Sequence, residues 1–335
     1  MFRRSLVWWL LVVAAAVVFG LMTQSERVLT LAIQTFIFGA LASSWNILGG
    51  FAGQVSLGHA AFFGIGALVT RELWLDGRPL AVAVAIALVA TAVAASVVGV
   101  PMLRLRGIYF AVGTLALGVG VWLTAGNLWP GISSLPVDAL RGYEFTGPYF
   151  MALGVVTVTV ALSIWLRRSK MGLGMMAVRE DEEAAAATGV NALAYKMMAF
   201  VISAVLAALA GAAFAYFSVS YYPQFPFSVV WTFEAITVVF VGGVGTIIGP
   251  LVGAAFFVTG RDVLSSTFPE LQVIAFGVLF ILVVLVLPGG FVEGGERLHE
   301  RISRRRTSQH QQATPDATPD ATARESVKME GKEKV

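Results

Sequence analysis

Cysteine does not occur in this chain. Disulfide staples, thiolate metal sites and cysteine nucleophiles are therefore excluded. Charge is also scarce, at 13% of 335 residues, where soluble domains carry roughly 25%. The three histidines, His59, His299 and His310, stand far apart and suggest no metal site. A Gly-x4-Gly-Lys-Ser/Thr phosphate loop is missing, as are the His-Glu-x-x-His and Gly-x-Ser-x-Gly motifs. Neither a cofactor nor a nucleic-acid partner is expected, and any ATP that drives the protein must be bound by another chain.

Apolar residues fill the space that charge leaves, at 57% of the chain, with 35 glycines among the rest. A water-soluble fold of this length has too little interior to hide them, so lipid is the expected solvent. Glycine fits the close helix approach found in membranes. The start, Met1-Phe2-Arg3-Arg4 and then an apolar run, reads as a retained first membrane helix, because Thr23-Gln24-Ser25 is a poor signal-peptidase site.

A membrane helix needs about 20 mostly apolar residues. Ten stretches qualify, near 6–22, 28–48, 55–75, 80–100, 107–127, 148–166, 194–217, 229–247, 250–266 and 271–288. The expected fold is an all-α polytopic helix bundle. Gly242 to Pro250 reads as a place where a segment breaks or re-enters, which membranes tolerate only where protein or water covers the backbone. With Arg3 and Arg4 in the cytoplasm, ten crossings place three basic groups there: Arg104 with Arg106, Arg167 with Arg168 and Lys170, and Arg301 with Arg304 to Arg306. The opposite loops mix signs, as with Arg71, Glu72, Asp76 and Arg78. This bias predicts that both termini are cytoplasmic. Residues 1–295 then form the transmembrane domain. From 296 to 335 the polar composition, with Ala-Thr-Pro-Asp repeated, predicts a disordered cytoplasmic tail.

Three segments carry candidate mechanism. The first, Trp45 to His59, has glycines at 49, 50, 53 and 58 and polar side chains at Asn46, Gln54, Ser56 and His59. Polar groups at membrane depth either hydrogen-bond between helices or mark a solute path, and chemistry alone leaves these two readings equal. The second holds Glu234, an acidic residue inside an apolar stretch, followed by Gly242-Gly243-Val244-Gly245-Thr246. Glu234 reads either as a structural anchor or as a pathway residue. The third, 170–192, follows a basic cluster. Its members Arg179, Glu180, Asp181, Glu182, Glu183, Ala184 and Ala185 suit a short exposed helix ending at Gly189. Such a helix needs a partner in water, so it is read as a coupling helix for a soluble ATPase, against a solvated linker.

Three stretches resemble a known family. They are Asn46-Ile47-Leu48-Gly49-Gly50-Phe51-Ala52-Gly53-Gln54-Val55-Ser56-Leu57-Gly58-His59-Ala60-Ala61-Phe62-Phe63, then Leu105-Arg106-Gly107-Ile108-Tyr109-Phe110-Ala111, then 169–217. With the Gly-Gly-Val-Gly-Thr run at 242–246, they make residues 28–288 similar to the LivM-type permease subunit of bacterial ABC importers for branched-chain amino acids. The resemblance implies a LivH-type sister permease, two cytoplasmic ATP-binding subunits that hold ATP and Mg, and an extracytoplasmic solute-binding protein, all in or at the inner membrane. It implies a non-enzymatic translocation subunit whose coupling helix is Arg179 to Gly189. The run Thr124-Ala125-Gly126-Asn127-Leu128-Trp129-Pro130-Gly131 departs from the family's Gly-rich form. The competing expectation is an ion-coupled secondary transporter, which would need intramembrane ionisable groups such as Glu234 and His59.

Overall fold

The computed structural model describes residues 2–136 and 143–267, and beyond them 277, 278, 281, 285 and 289–292; of 2–8 and 10 only the backbone is described. Helices dominate. In chain order they are α1 (Phe2–Met22), α2 (Glu26–Asn46), α3 (His59–Leu75), α4 (Leu80–Met102), α5 (Ile108–Leu128), α6 (Thr146–Arg168), α7 (Lys170–Glu180), α8 (Glu182–Ala187), α9 (Ala192–Phe217), α10 (Val229–Gly242) and α11 (Gly249–Thr267). A two-residue ladder pairs β1 (Ser133–Ser134) antiparallel with β2 (Ser220–Tyr221). Nine of the ten stretches expected to cross lie among the described residues as α1 to α6 and α9 to α11. The tenth, 271–288, falls almost wholly outside them, and the tail from 296, with the basic group Arg301 and Arg304 to Arg306, lies outside them altogether.

Five helices among the described residues are long and apolar enough to cross a membrane: α2 with the turn after it, α4, α5, α6 and α9. Their surfaces fit lipid. Along α4 the buried positions are Ala83, Ala87, Thr91, Ala95 and Gly99, one small residue per turn on one face. The bulky side chains Ile86, Val89, Val93 and Val97 stand exposed on the others. Water would penalise such a surface. The chain is an all-α membrane helix bundle.

At the centre α9 packs against α2, α3 and α4, and α2 also packs against α6, α10 and α11. Small residues set the α3–α9 distance. A Cβ on Gly66 would strike the Ala208 carbonyl, and one on Gly211 would strike the Phe63 carbonyl. The two backbones therefore approach from both sides through residues without side chains.

Two crossings are interrupted. After Asn46 the chain widens into a π-helical turn over Ile47–Phe51, then runs without helix through 52–58. The third expected segment, 55–75, is helical only from His59. The reason is local: Leu57 donates its backbone N–H to Thr114 Oγ1 at 3.0 Å, and Trp45 Nε1 donates to the Ser56 carbonyl at 2.8 Å. Those bonds replace the helical ladder. The second interruption separates α10 from α11 at 243–248, where Gly243 and Gly245 take positive φ values of 124° and 76°. At 14 residues, α10 is roughly 21 Å long, short of the ~30 Å hydrocarbon core.

Candidate functional site

The two interruptions meet. Asn46 donates through Nδ2 to the Thr246 carbonyl at 2.8 Å and accepts through Oδ1 from the Gly245 N–H at 2.8 Å. One side-chain amide thus satisfies a donor and an acceptor freed by the break, at a sequence distance of about two hundred residues. Thr246 Oγ1 caps the start of α11 by accepting from the Gly249 N–H at 3.1 Å. Thr232 Oγ1 of α10 accepts from the Ala60 N–H at 2.8 Å and so serves the first turn of α3. Each broken segment is held by the other.

The segment 170–192 lies against this junction. Ser169 caps α7 through its hydroxyl, and Asp181 caps α8 by accepting from the N–H groups of Glu183 and Ala184, both at 2.9 Å. Glu182 and Glu183 fall in the first turn of α8, where carboxylates favour the positive end of the helix dipole. Gly189, at φ 87°, ends the pair. Two inward contacts fasten it. Arg179 Nη1 donates to the Gly50 carbonyl at 2.5 Å, and Lys196 of α9, 4% exposed, pairs with Glu182 Oε2 at 2.6 Å. Ala185 is buried, while Leu173, Ala177, Glu180, Glu183, Ala184, Ala186 and Ala187 stay exposed. The outward face is thus a small apolar surface with a few carboxylates.

His59 lies at a second crossing point. Its Nε2 is 3.2 Å from Ser44 Oγ of α2 and 3.1 Å from Ser203 Oγ of α9. Both hydroxyl protons are already committed, Ser44 to the Leu41 carbonyl and Ser203 to the Ser44 carbonyl, each at 2.6 Å. Nε2 must then be the protonated nitrogen, donating to the hydroxyl oxygens. His59 thus joins three helices through Nε2. Ser56 is buried nearby in sequence, and Gln54 is half-buried with its backbone N–H on the Leu48 carbonyl at 3.0 Å.

Glu234 stands apart from Asn46, Gln54, Ser56 and His59. It pairs with Arg261 of α11 at 3.0 Å in a cavity of about 380 Å³ between α2, α9, α10 and α11. Among the described residues no three His, Asp or Glu side chains gather as a metal site.

Sequence reasoning missed Arg71. It was grouped with the mixed-sign loop charges, yet it lies within α3 and is fully buried. Its guanidinium donates to the carbonyls of Ala215 and Ser218 at 3.1 and 3.0 Å, of Val219 at 2.8 Å, and to Ser133 Oγ at 3.2 Å. Tyr221 and Trp74 face it at 5.4 and 5.7 Å. The cation thus gathers the C-terminal end of α9, where helix carbonyls lack partners, and both strands of the ladder. Burial pushes the Tyr221 hydroxyl above its ordinary range against the opposing pull of Arg71. Tyr143, which donates to the Phe217 carbonyl at 2.5 Å, is pushed by burial to about 12. The signal available in sequence was slight: a lone arginine on the face of an apolar helix.

The family described as "Branched-chain amino acid transport system / permease component" matches residues 27–284. The high-affinity branched-chain amino acid transport system permease protein LivM of Salmonella typhimurium is 28% identical over 316 residues, covering 84% of this chain and 73% of LivM. The LivM protein of Escherichia coli is 28% identical over 301 residues, covering 80% and 70%. The LivH permease of S. typhimurium is 33% identical over 136 residues, 40% of this chain and 43% of LivH. These relatives are named as transport permeases and not as enzymes. No solved structure matches the chain.

Proposed function

The chain belongs to the branched-chain amino acid transport permease family, and from that premise we propose that it is one membrane subunit of an ATP-driven importer for branched-chain or other small hydrophobic amino acids. Its partners in this reading are a LivH-type sister permease, two cytoplasmic ATP-binding subunits and an extracytoplasmic binding protein. Ten crossings in the bacterial inner membrane, with both termini cytoplasmic, place Arg167, Arg168, Lys170 and the 170–192 segment on the ATPase side.

The observation that carries this reading is the attachment of α7 and α8. Their inner face is fixed by Arg179 to the Gly50 carbonyl and by Glu182 to Lys196, and their outer face leaves Leu173, Ala184 and Ala187 exposed among the described residues. An ATPase docked on that face would move α7 and, through Gly50 and Asn46, both interruptions together. Alternating access follows if the interruptions have two arrangements. Asn46, Gln54, Ser56 and His59 act in this scheme at the moving seam, and Glu234 along the solute's route.

Affinity purification from the native membrane in mild detergent tests the reading. Two P-loop ATPases and a second polytopic permease are expected with the chain. Recovery of the chain alone, still moving solute along an ion gradient without ATP, would refute it.

A further inference from the structure

The cavity holding Glu234 has three properties of a ligand site. Its volume, about 380 Å³, falls within the roughly 300–1,000 Å³ of small-molecule pockets. Its wall is aromatic and aliphatic: Phe38, Phe214 and Trp231 line it, with Phe38 stacked on Trp231 at 5.2 Å and Phe214 edge-on to Trp231 at 5.1 Å. One anion and one cation stand on the rim side by side, Glu234 and Arg261.

Position adds a fourth. Gln34 and Phe38 lie eight and twelve residues into α2, so roughly 12 to 18 Å along it at 1.5 Å per residue. The cavity thus reaches from the end of the bundle where α2 begins toward its middle. That end is opposite the α7–α8 attachment, because α2 runs from the cavity toward Gly50.

The geometry points to this cavity as a docking site for a zwitterionic α-amino acid with a small apolar side chain. The inference rests on the importer reading given above. The solute carboxylate takes N–H donors of Arg261, which has five and uses Nη1 toward Glu234. The solute ammonium takes the Glu234 carboxylate, and the side chain lies on Phe38, Phe214 and Trp231. An ion pair that already exists is suited to a zwitterion, since no charge is left bare when the site empties. It is poorly suited to an amine or an acid alone, because either would leave one rim charge displaced and unmatched. The half-exposed Arg261 side chain, 51% against 20% for Glu234, keeps the rim open.

Photo-crosslinking on the assembled transporter in nanodiscs tests this. The probe is a diazirine analogue of leucine, and the labelled residues are read by peptide mass spectrometry. Labelling is expected on Phe38, Phe214 or Trp231. Leucine should compete at least about tenfold better than leucine amide or 4-methylpentanoate. Arg261→Gln should erase the advantage of leucine over its amide, and Glu234→Gln the advantage over 4-methylpentanoate. An ion pair that merely joined α10 to α11 would not sort the two analogues in this way. Breaking the neighbouring Arg27–Asp262 pair, 2.8 Å between α2 and α11, by Asp262→Asn should leave the ranking unchanged. Three results overturn the inference: labelling confined to residues elsewhere, equal competition by all three compounds, or labelling that leucine does not displace but phospholipid does. ATP-dependent uptake by the same preparation separates the two claims. Uptake with labelling elsewhere sinks the site alone, and absence of ATP-dependent uptake sinks the importer reading.

Discussion

The Arg179 guanidinium donates to the Gly50 carbonyl across 2.5 Å, and the contact ties the surface helix pair to the interruption after α2. Arg179 also closes over Gly53 and Gly245. A Cβ on Gly53 would approach the aliphatic stem of Arg179 at 3.0 Å, and one on Gly245 its Nη1 at 3.0 Å. Four residues before Gly50 in the chain, Asn46 binds Gly245 and Thr246. A displacement of α7 therefore has a continuous path, through hydrogen bonds and the Asn46–Gly50 backbone, into α2 and the α10–α11 turn. Such a path supports coupling only if disturbing it changes the response at the far end.

Replacing Arg179 with alanine should separate ATP hydrolysis from transport. A hydrogen bond from a charged group contributes about 1.5–3 kcal/mol, enough to lower uptake about tenfold or more while ATPase activity persists. Arg179→Lys should restore part of the coupling, since an ammonium on a shorter stem still reaches for one carbonyl but lacks the fork. The ratio of solute moved to ATP hydrolysed, measured in proteoliposomes, checks both. An unchanged ratio in the alanine variant would remove Arg179 from the coupling path.

Asn46→Ala should destabilise the junction itself. It leaves the half-buried Gly245 N–H and Thr246 carbonyl without their Asn46 partner, a loss toward the lower end of the about 1–3 kcal/mol that an unsatisfied buried group costs. A lower Tm in detergent is expected. Asn46→Asp should recover only the Gly245 bond, because a carboxylate accepts but does not donate. A Tm of the aspartate variant equal to that of wild type would contradict the two-bond assignment.

Gly66→Val and Gly211→Val should each disrupt the α3–α9 contact. Their added atoms meet backbone carbonyls and not flexible side chains, and overpacking of this kind costs typically about 1–3 kcal/mol. Gly154 offers a control. A Cβ there meets nothing within 4 Å, so Gly154→Ala should leave yield and Tm near those of wild type. Equal losses at all three positions would point to a general sensitivity to glycine replacement.

Arg71→Met should loosen the loops at the end of α9 without unfolding the bundle. The substitution removes every bond to Ser133, Ala215, Ser218 and Val219 while keeping the apolar stem. Limited proteolysis from the binding-protein side should then cleave near 128–136 or 218–228 faster than in wild type. Unchanged cleavage would show that the ladder holds without its cation.

Much of this was legible in the sequence, for definite reasons. The lengths of α4, α5, α6 and α9 follow from apolar runs that no soluble fold would bury. The α10–α11 break follows from glycines at 242, 243 and 245, and positive φ at the last two explains why glycine stands there. The caps of α7 and α8 were half legible: Gly189 signals the end, but Asp181 reads as one more charge until its carboxylate is seen accepting two backbone N–H groups. The destinations of the polar side chains were not legible. Asn46 and Thr246, like Arg179 and Gly50, are brought together by folding over long sequence distances, and no local pattern encodes such pairs. The burial of Arg71 escaped notice because a cation near a helix end ordinarily reaches water, and here the ends of α9 and the two strands supply carbonyls in its place.

The most direct measurement is uptake of labelled leucine into proteoliposomes containing this chain, a LivH-type sister, two ATP-binding subunits and the solute-binding protein. Uptake that requires ATP, the binding protein and an intact Arg179 is expected. Uptake by the chain alone along a proton or sodium gradient, indifferent to ATP, would contradict the importer.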